Sequence, residues 1–294
     1  MVVCIAENIN IMSNIIGPAI KERNAGPIQD MASALAANGA DYLDLNLGPA
    51  KKGGDEMMDW LVKTVQDVTD LPLSLDTTNP VAMEAGLKAA KCEKPLINSV
   101  SLQAERLETG LPVAVEYNAD IIGLLWGKDG MPRDANERAV MAVDFIYKAN
   151  EAGIETGRIL IDPIITPICG DINQVLAALE FMGMLKEIMP EAKSIVGLSN
   201  VSNGVPNNLR VYLNRTYLMM LMKNNIYSVI MNGFDEELIK IARGKRPEHV
   251  KLVHDIMEGN MPDTSSFGKT ELEYYKTTMV LMGKVLYSDS WLSA

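Results

Sequence analysis

Acidic and carboxamide side chains recur at one kind of place in this chain, directly after a short apolar run. Leu73-Ser74-Leu75-Asp76, Leu160-Ile161-Asp162 and Gly197-Leu198-Ser199-Asn200 show the pattern, and Glu7 with Asn8, Asp44 with Asn46, Asn98 and Asn232 repeat it. One such residue could cap the helix that follows or fix a loop, since Asp and Asn are favoured in both places. Polar groups from seven runs converging on one rim make a shared ligand site the better account. A carboxylate accepts a paired amino and ring hydrogen while a carboxamide both donates and accepts, so the set suits a flat heterocycle with alternating donors and acceptors. It suits zinc poorly, because no His belongs to it. Magnesium prefers several carboxylates with substrate phosphates, whereas the amides here match or outnumber the acids. No bound metal is expected.

The elements that would carry these residues follow from periodicity. Eight short β-branched or aliphatic runs read as strands: Val2–Glu7, Tyr42–Asn46, Leu71–Asp76, Pro95–Ser99, Asp120–Leu125, Ile159–Pro163, Ser194–Ser199 and Ser228–Met231. Between them, Pro27–Asn38, Asp55–Val68, Pro80–Ala90, Asp134–Ala152, Ile172–Met189 and Leu209–Lys223 have helical spacing. Met58, Leu61, Val62 and Val65 line one face of the second of these, and Asp55 and Glu56 suit the positive end of its dipole. Only the segment between the fourth and fifth strands is ambiguous, because Pro112 interrupts it. Eight strand–helix units favour a closed (β/α)8 barrel of the TIM type as a single domain over an open doubly wound sheet. No glycine-rich dinucleotide fingerprint follows the first strand, where the chain reads Glu7-Asn8-Ile9-Asn10. Past the eighth strand a helix begins at Asp235–Arg243, a polar loop runs through residues 259–269, and a C-terminal helix is expected near 271–285.

A length of 294 residues fits one such barrel, and 48% hydrophobic with 22% charged residues describes a globular chain. The net charge of −11 opposes binding to nucleic acid or anionic lipid. The amino terminus lacks a basic region ahead of an apolar stretch, and the apolar run Tyr217–Met222 is too short to span a bilayer, so a cytoplasmic location is expected. Three scattered cysteines, Cys4, Cys92 and Cys169, argue against a disulfide framework or a Cys-based metal cluster. With only His249 and His254, a Ser-His-Asp triad is poorly supported. Chemistry must therefore come from carboxylates, amides and hydroxyls.

In order along the chain, Asp41-Tyr42-Leu43-Asp44-Leu45-Asn46-Leu47-Gly48-Pro49, Leu75-Asp76-Thr77-Thr78-Asn79, Ile97-Asn98-Ser99, Ile161-Asp162-Pro163 and Gly197-Leu198-Ser199-Asn200-Val201-Ser202 resemble the pterin-binding methyltransferases. Within that group the likeness is greatest to methyltetrahydrofolate:corrinoid protein methyltransferases, and it covers most of residues 3–240. The resemblance implies that Asp76, Asn98 and Asp162 hold the pterin ring, with Asn46 and Gly197 completing the contact set. It implies that Asn200 reaches the methyl-bearing nitrogen, supported by Asp44 and Ser199. Tetrahydrofolate or 5-methyltetrahydrofolate would be the substrate, a corrinoid carried by a partner protein the other reactant, and a homodimer the assembly. General chemistry makes the role of Asn200 plausible on separate grounds: an amide anion is a very poor leaving group, so the nitrogen must gain a proton or a strong hydrogen bond as the methyl departs.

Lys128, Arg133 and Arg210 are candidates for the folate's glutamate tail, though solvated surface charge explains each more simply. Within that family, the chain departs from the enzyme acting on the corrinoid iron–sulfur protein near residues 242–268, which read as an insertion. Two other functions stand beside the methyltransferase. A dihydropteroate synthase would share barrel and pterin site, but Asn8-Ile9-Asn10-Ile11-Met12 lacks the Thr-Pro-Asp-Ser-Phe-type run expected after its first strand. A non-catalytic folate-binding subunit would bind the same ligand and do no chemistry.

Overall fold

The protein is described here from a computed structural model covering residues 1–293. Eight parallel strands close into a barrel in chain order: β1 (Val3–Asn10), β2 (Tyr42–Gly48), β3 (Leu73–Thr77), β4 (Leu96–Ser101), β5 (Asp120–Leu124), β6 (Ile159–Asp162), β7 (Lys193–Gly197) and β8 (Ser228–Met231). Around them run α1 (Ile16–Lys21), α2 (Ala25–Ala37), α3 (Gly54–Gln66), α4 (Pro80–Ala89), α5 (Ala104–Glu116), α6 (Ala135–Glu151), α7 (Ile172–Ile188), α8 (Asn207–Lys223), α9 (Glu236–Ala242), α10 (Pro247–Met257) and α11 (Lys269–Leu281). The expected single-domain (β/α)8 architecture is the one observed.

Alternation along each strand separates two interiors, because successive side chains leave opposite faces of the sheet. Cys4, Leu43, Leu45, Leu73, Leu75, Ile97, Ile121, Ile161, Val196 and Val229 point outward and pack under the helices in the large core. Ile5, Leu96, Ile122, Leu160, Ile195 and Ile230 point the other way and form a separate apolar plug inside the barrel. Two residues beyond the plug on the same parity come Glu7, Asn98, Leu124, Asp162, Gly197 and Asn232. The pairing register sets Asp44 beside Ser74 and places Asn46, Asp76 and Asn98 at one level on β2, β3 and β4. The inward face is thus apolar at the bottom and polar at the C-terminal ends of the strands.

Several elements differ from the sequence expectation. Pro112 sits inside α5, whose buried residues Leu111 and Ala114 hold it to the sheet despite the lost backbone donor. The short helix α1 and the helix α10 were not foreseen. Helix α10 begins with Pro at its first turn and, within residues 242–268, packs against α8 and α11. The last helix ends at Leu281, and Gly283 beyond it adopts φ +66°, the left-handed setting that closes a helix. Strand β7 stops at Gly197, so Ser199 and Asn200 belong to a 3-10 turn, Leu198–Ser202.

One seam shows how tightly the layers fit. Gly123 of β5 faces α6, and a Cβ built on it would lie 2.5 Å from the buried ring of Phe145. Gly123→Ala should therefore cost about 1–3 kcal/mol by overpacking, read as a lower midpoint in chemical denaturation, with part of the loss recovered when Phe145→Leu is added. An unchanged midpoint would mean that the ring can swing clear.

Candidate functional site

Above the apolar plug, the inward positions of six strands and the turn after β7 enclose a polar chamber. Asp44 is the most sheltered acid, 2% exposed, and its Oδ1 accepts from Ser74 Oγ at 2.5 Å and from Asn98 Nδ2 at 3.0 Å. Burial pushes its carboxyl up to about 6, opposed by those two hydrogen bonds and assisted by the charge of Glu7. Asn46 divides its amide between neighbours: Nδ2 donates to Asp76 Oδ2, and Oδ1 accepts from the Gly48 N–H at 3.0 Å. For Asp76, burial and the charge of Asp44 act together and push the carboxyl up to about 8. Its Oδ1, and the Oδ1 of the register neighbour Asn98, have no hydrogen-bond partner among the described residues. Two acceptors side by side at one level can receive adjacent ligand N–H groups.

Across the barrel, Asp162 is 8% exposed and accepts from the Ile164 N–H at 2.8 Å and from the Gly197 backbone. Burial pushes it up to about 6 against those bonds and the Arg138 cation. Ile164 reaches its donating position at φ +66°, a conformation rare for a β-branched residue. Arg138 itself is fully buried and bonded to Pro163 O, Asp134 O and Gln174, tying the loop after β6 to α6 and α7.

On the third side, Ser199 Oγ donates to Glu7 Oε1. Burial raises the Glu7 carboxyl, offset by Ser199 and by Arg210. Next in the turn, the Asn200 amide is exposed and has no hydrogen-bond partner among the described residues. It lies across Gly197, where an added Cβ would come within 2.9 Å of Asn200 Nδ2. Of the residues expected in the site, Asp44 with Asn98 and Asn46 with Asp76 form two bonded pairs side by side in register, Asp162 binds the backbone at Gly197, and Asn200 overhangs that glycine. Ser199 turns to Glu7, and neither Ser199 nor Asp44 bonds to Asn200.

Other strand-end residues have structural duties. Asn8 Nδ2 donates to Asn232 Oδ1 at 2.8 Å and the Gly233 N–H donates to Asn8 Oδ1 at 2.8 Å, so this pair closes the seam between β1 and β8. Among the three cations, Arg133 pairs with Glu137, and Arg210 is bound to Ser202 Oγ and Ser199 O. Lys128 lies with Trp126, Ser99 and Arg106 along a cleft of about 670 Å³ beside the chamber. No three His, Cys, Asp or Glu side chains among the described residues are grouped to hold a metal ion. Ser74 and the role of Glu7 were not read from the sequence, although Ser74 stands two residues before Asp76 as Asp44 stands two before Asn46.

Residues 19–232 match the family described as pterin binding enzyme. The chain is 25% identical over 240 residues to the methylcorrinoid:tetrahydrofolate methyltransferase of Eubacterium limosum, covering 81% of this chain and 87% of that one. It is also 25% identical over 239 residues to the methionine synthase of Mycobacterium tuberculosis, covering 77% of this chain but only 20% of that much longer protein. Among solved structures, Xanthomonas albilineans dihydropteroate synthase with 4-aminobenzoic acid superposes with a TM-score of 0.66 at 18% identity, over 84% of this chain and 92% of that one. Yersinia pestis dihydropteroate synthase with a sulfonamide drug gives 0.66 at 14% identity, over 84% and 94%. At those identities the shared feature is the fold.

Asp44, Asp76 and Asp162 all sit above the ordinary value of 3.8, so the folded protein holds protons that the unfolded chain releases. Ionising them costs stability, which is absent near pH 4, grows as pH rises and is complete above about 8 for Asp76. Asp76→Asn should accordingly raise the melting midpoint at pH 8.5 by roughly 2–4 °C or more, the shift of about 1 kcal/mol in a large domain. Near pH 4 the difference should vanish. Calorimetry of both proteins across that range checks the sign, and a variant equally or less stable at high pH would contradict it.

Proposed function

The chain belongs to the pterin binding enzymes, and from that membership we propose that it is a methyltransferase moving a methyl group between the methyl-bearing nitrogen of tetrahydrofolate and the cobalt of a corrinoid protein. One observation carries the reading. A chamber with open acceptors on Asp76 and Asn98 is overhung by Asn200, an amide donor with no partner of its own among the described residues. The likeness to a methylcorrinoid:tetrahydrofolate methyltransferase over 87% of its length supports the same reaction class.

The roles of the residues follow from what each can donate or accept. Asp76, Asn98 and Asp162 accept from the amino and ring N–H groups of the pterin, which fixes the ring over the apolar plug. Asn46 holds Asp76 from one side and Asp44 is held by Ser74, so the acceptors present fixed directions before ligand arrives. The corrinoid partner supplies the cobalt that gains or loses the methyl group. As the nitrogen–carbon bond breaks, electron density grows on the pterin nitrogen, and the Asn200 amide, free to turn over Gly197, donates to it. A Cβ at Gly197 would come within 2.9 Å of Asn200 Nδ2, so a side chain there would make that amide shift. An amide does not titrate near neutrality, so the donor is present at every working pH.

Wild-type protein mixed with methyltetrahydrofolate and a reduced corrinoid protein should bleach the cobalt(I) absorption. No change with several corrinoid partners, despite folate binding, would instead indicate a folate-binding subunit. Asn200→Ala should slow the transfer on the order of 10²-fold, the usual cost of one preorganised donor, while folate affinity changes by less than about threefold. Equal losses in both would remove the special role of Asn200. Asp76→Asn should mainly weaken folate binding, measured by calorimetric titration, because an amide has one acceptor oxygen where the carboxylate has two and cannot both accept from Asn46 and present an acceptor to the ligand in the same geometry.

A further inference from the structure

Glu7 is the one chamber acid that the reading above leaves without a task, and its surroundings point to one. Its carboxylate lies at the inward level above the plug and takes the hydroxyl hydrogen of Ser199. Ser199 begins the exposed part of the turn Leu198–Ser202, and Asn200 is its next residue. The outer side of the same turn is held from α8. Arg210 Nε donates to Ser202 Oγ at 3.1 Å, Arg210 Nη2 reaches Ser199 O at 3.4 Å, and Ser202 Oγ donates to that same Ser199 O at 3.1 Å. The turn is therefore fastened to the barrel wall at Glu7 and to a helix at Arg210, while the amide between the fastenings stays unbonded.

We propose that Glu7 is a positioning residue for Asn200, fixing through Ser199 the barrel side of the turn that presents the amide, with Arg210 fixing the other side. The inference rests on the function proposed above. Two fastenings are needed because the turn is short and its donor exposed: without them, a one-residue turn of the backbone would swing the amide off Gly197 by more than the roughly 0.5 Å tolerated at a catalytic contact. Glu7 suits this work because its acceptor sits on a strand, the stiffest support at hand, and because opposite charge on Arg210 lies across the turn from it.

The test compares Glu7→Ala, Glu7→Gln and Arg210→Ala in the full chain, using methyltetrahydrofolate and reduced corrinoid protein. Glu7→Ala should slow single-turnover methyl transfer by about 10- to 100-fold with folate affinity nearly retained. Glu7→Gln, whose Oε1 still accepts from Ser199, should recover most of that loss. Glu7→Ala combined with Asn200→Ala should be no slower than Asn200→Ala alone, since a positioning residue has nothing left to position. Hydrogen–deuterium exchange should show faster exchange of the 198–203 amides in Glu7→Ala and Arg210→Ala, a readout independent of activity. A Glu7→Gln rate as low as that of Glu7→Ala would overturn positioning in favour of a direct acid–base task. Unchanged exchange in the turn would overturn it as well. If wild-type protein transfers no methyl group, the proposed function fails, whereas the exchange measurement still decides whether Glu7 fastens the turn.

Discussion

A barrel strand sends every second side chain inward, and the rest of this molecule depends on that parity. Six inward residues one step down are apolar and close the interior as a plug. The next inward step is polar on six strands, with Leu124 on β5 and Gly197 on β7 the exceptions, so the floor of the chamber is apolar and its walls carry the charges. A shift of any strand by one residue would exchange the two sets, placing Leu43 or Leu75 in the chamber and Asp44 or Asp76 under a helix. Register is thus enforced twice, by the outer core and by the chamber. Close seams such as Gly123 against Phe145 and Gly86 against Met58 and Leu75 leave no slack for a strand to slide.

Four carboxyl groups share this chamber, and the cations near it stand behind the walls. Arg138 faces Asp162 through the loop after β6, and Arg210 approaches Glu7 across the turn after β7. Neither forms an ion pair with a chamber acid. The acids are therefore held by neutral donors: the Ser74 and Ser199 hydroxyls, the Asn46 and Asn98 amides, and two backbone N–H groups beside Asp162. Neutral donors leave the carboxylates short of compensation, which is why burial wins and all four are pushed upward. A ligand bringing its own N–H groups would make up the shortfall without bringing a net charge into the chamber. A phosphate would add negative charge to these acids, and the stability that their burial costs is the counterpart of their readiness to bind a ligand rich in N–H groups.

Much of this was legible in the chain. The strands stood out because buried parallel strands read as unbroken apolar runs, and the polar residues ending all but the fifth run marked the strand end that faces the chamber. What sequence could not show was side-chain direction within a polar group. Ser199 and Asn200 look like consecutive residues of one strand end, yet the chain leaves the sheet at Gly197, and the turn aims the first at Glu7 and the second over the glycine. Asn8 and Asn232 looked equivalent to Asn46 and Asn98 but satisfy each other, because the seam of a closed barrel brings the first and last strands together. Helix α10 carries no strand–helix signature in the sequence, because it packs against α8 and α11 and no strand follows it. Pro112 was a local warning that the packing of α5 overrides.

On the proposed reaction, the identity of the donor bears on direction. Methyl departure from the pterin and methyl return to it pass through the same transition state, so a group that stabilises one stabilises the other. A carboxylic acid aimed at the nitrogen would be in the wrong protonation state for one of the two directions at a given pH. The Asn200 amide has no such preference, since it donates in both and changes protonation in neither. Asp44 and Asp76 stand close enough for the charge of Asp44 to raise Asp76, so on the proposed reaction a proton at this end of the chamber belongs to the pair rather than to either acid alone. On that proposal, direction is left to the equilibrium and the concentrations of folate and corrinoid protein, and ligand recognition falls to the acceptors of Asp76, Asn98 and Asp162.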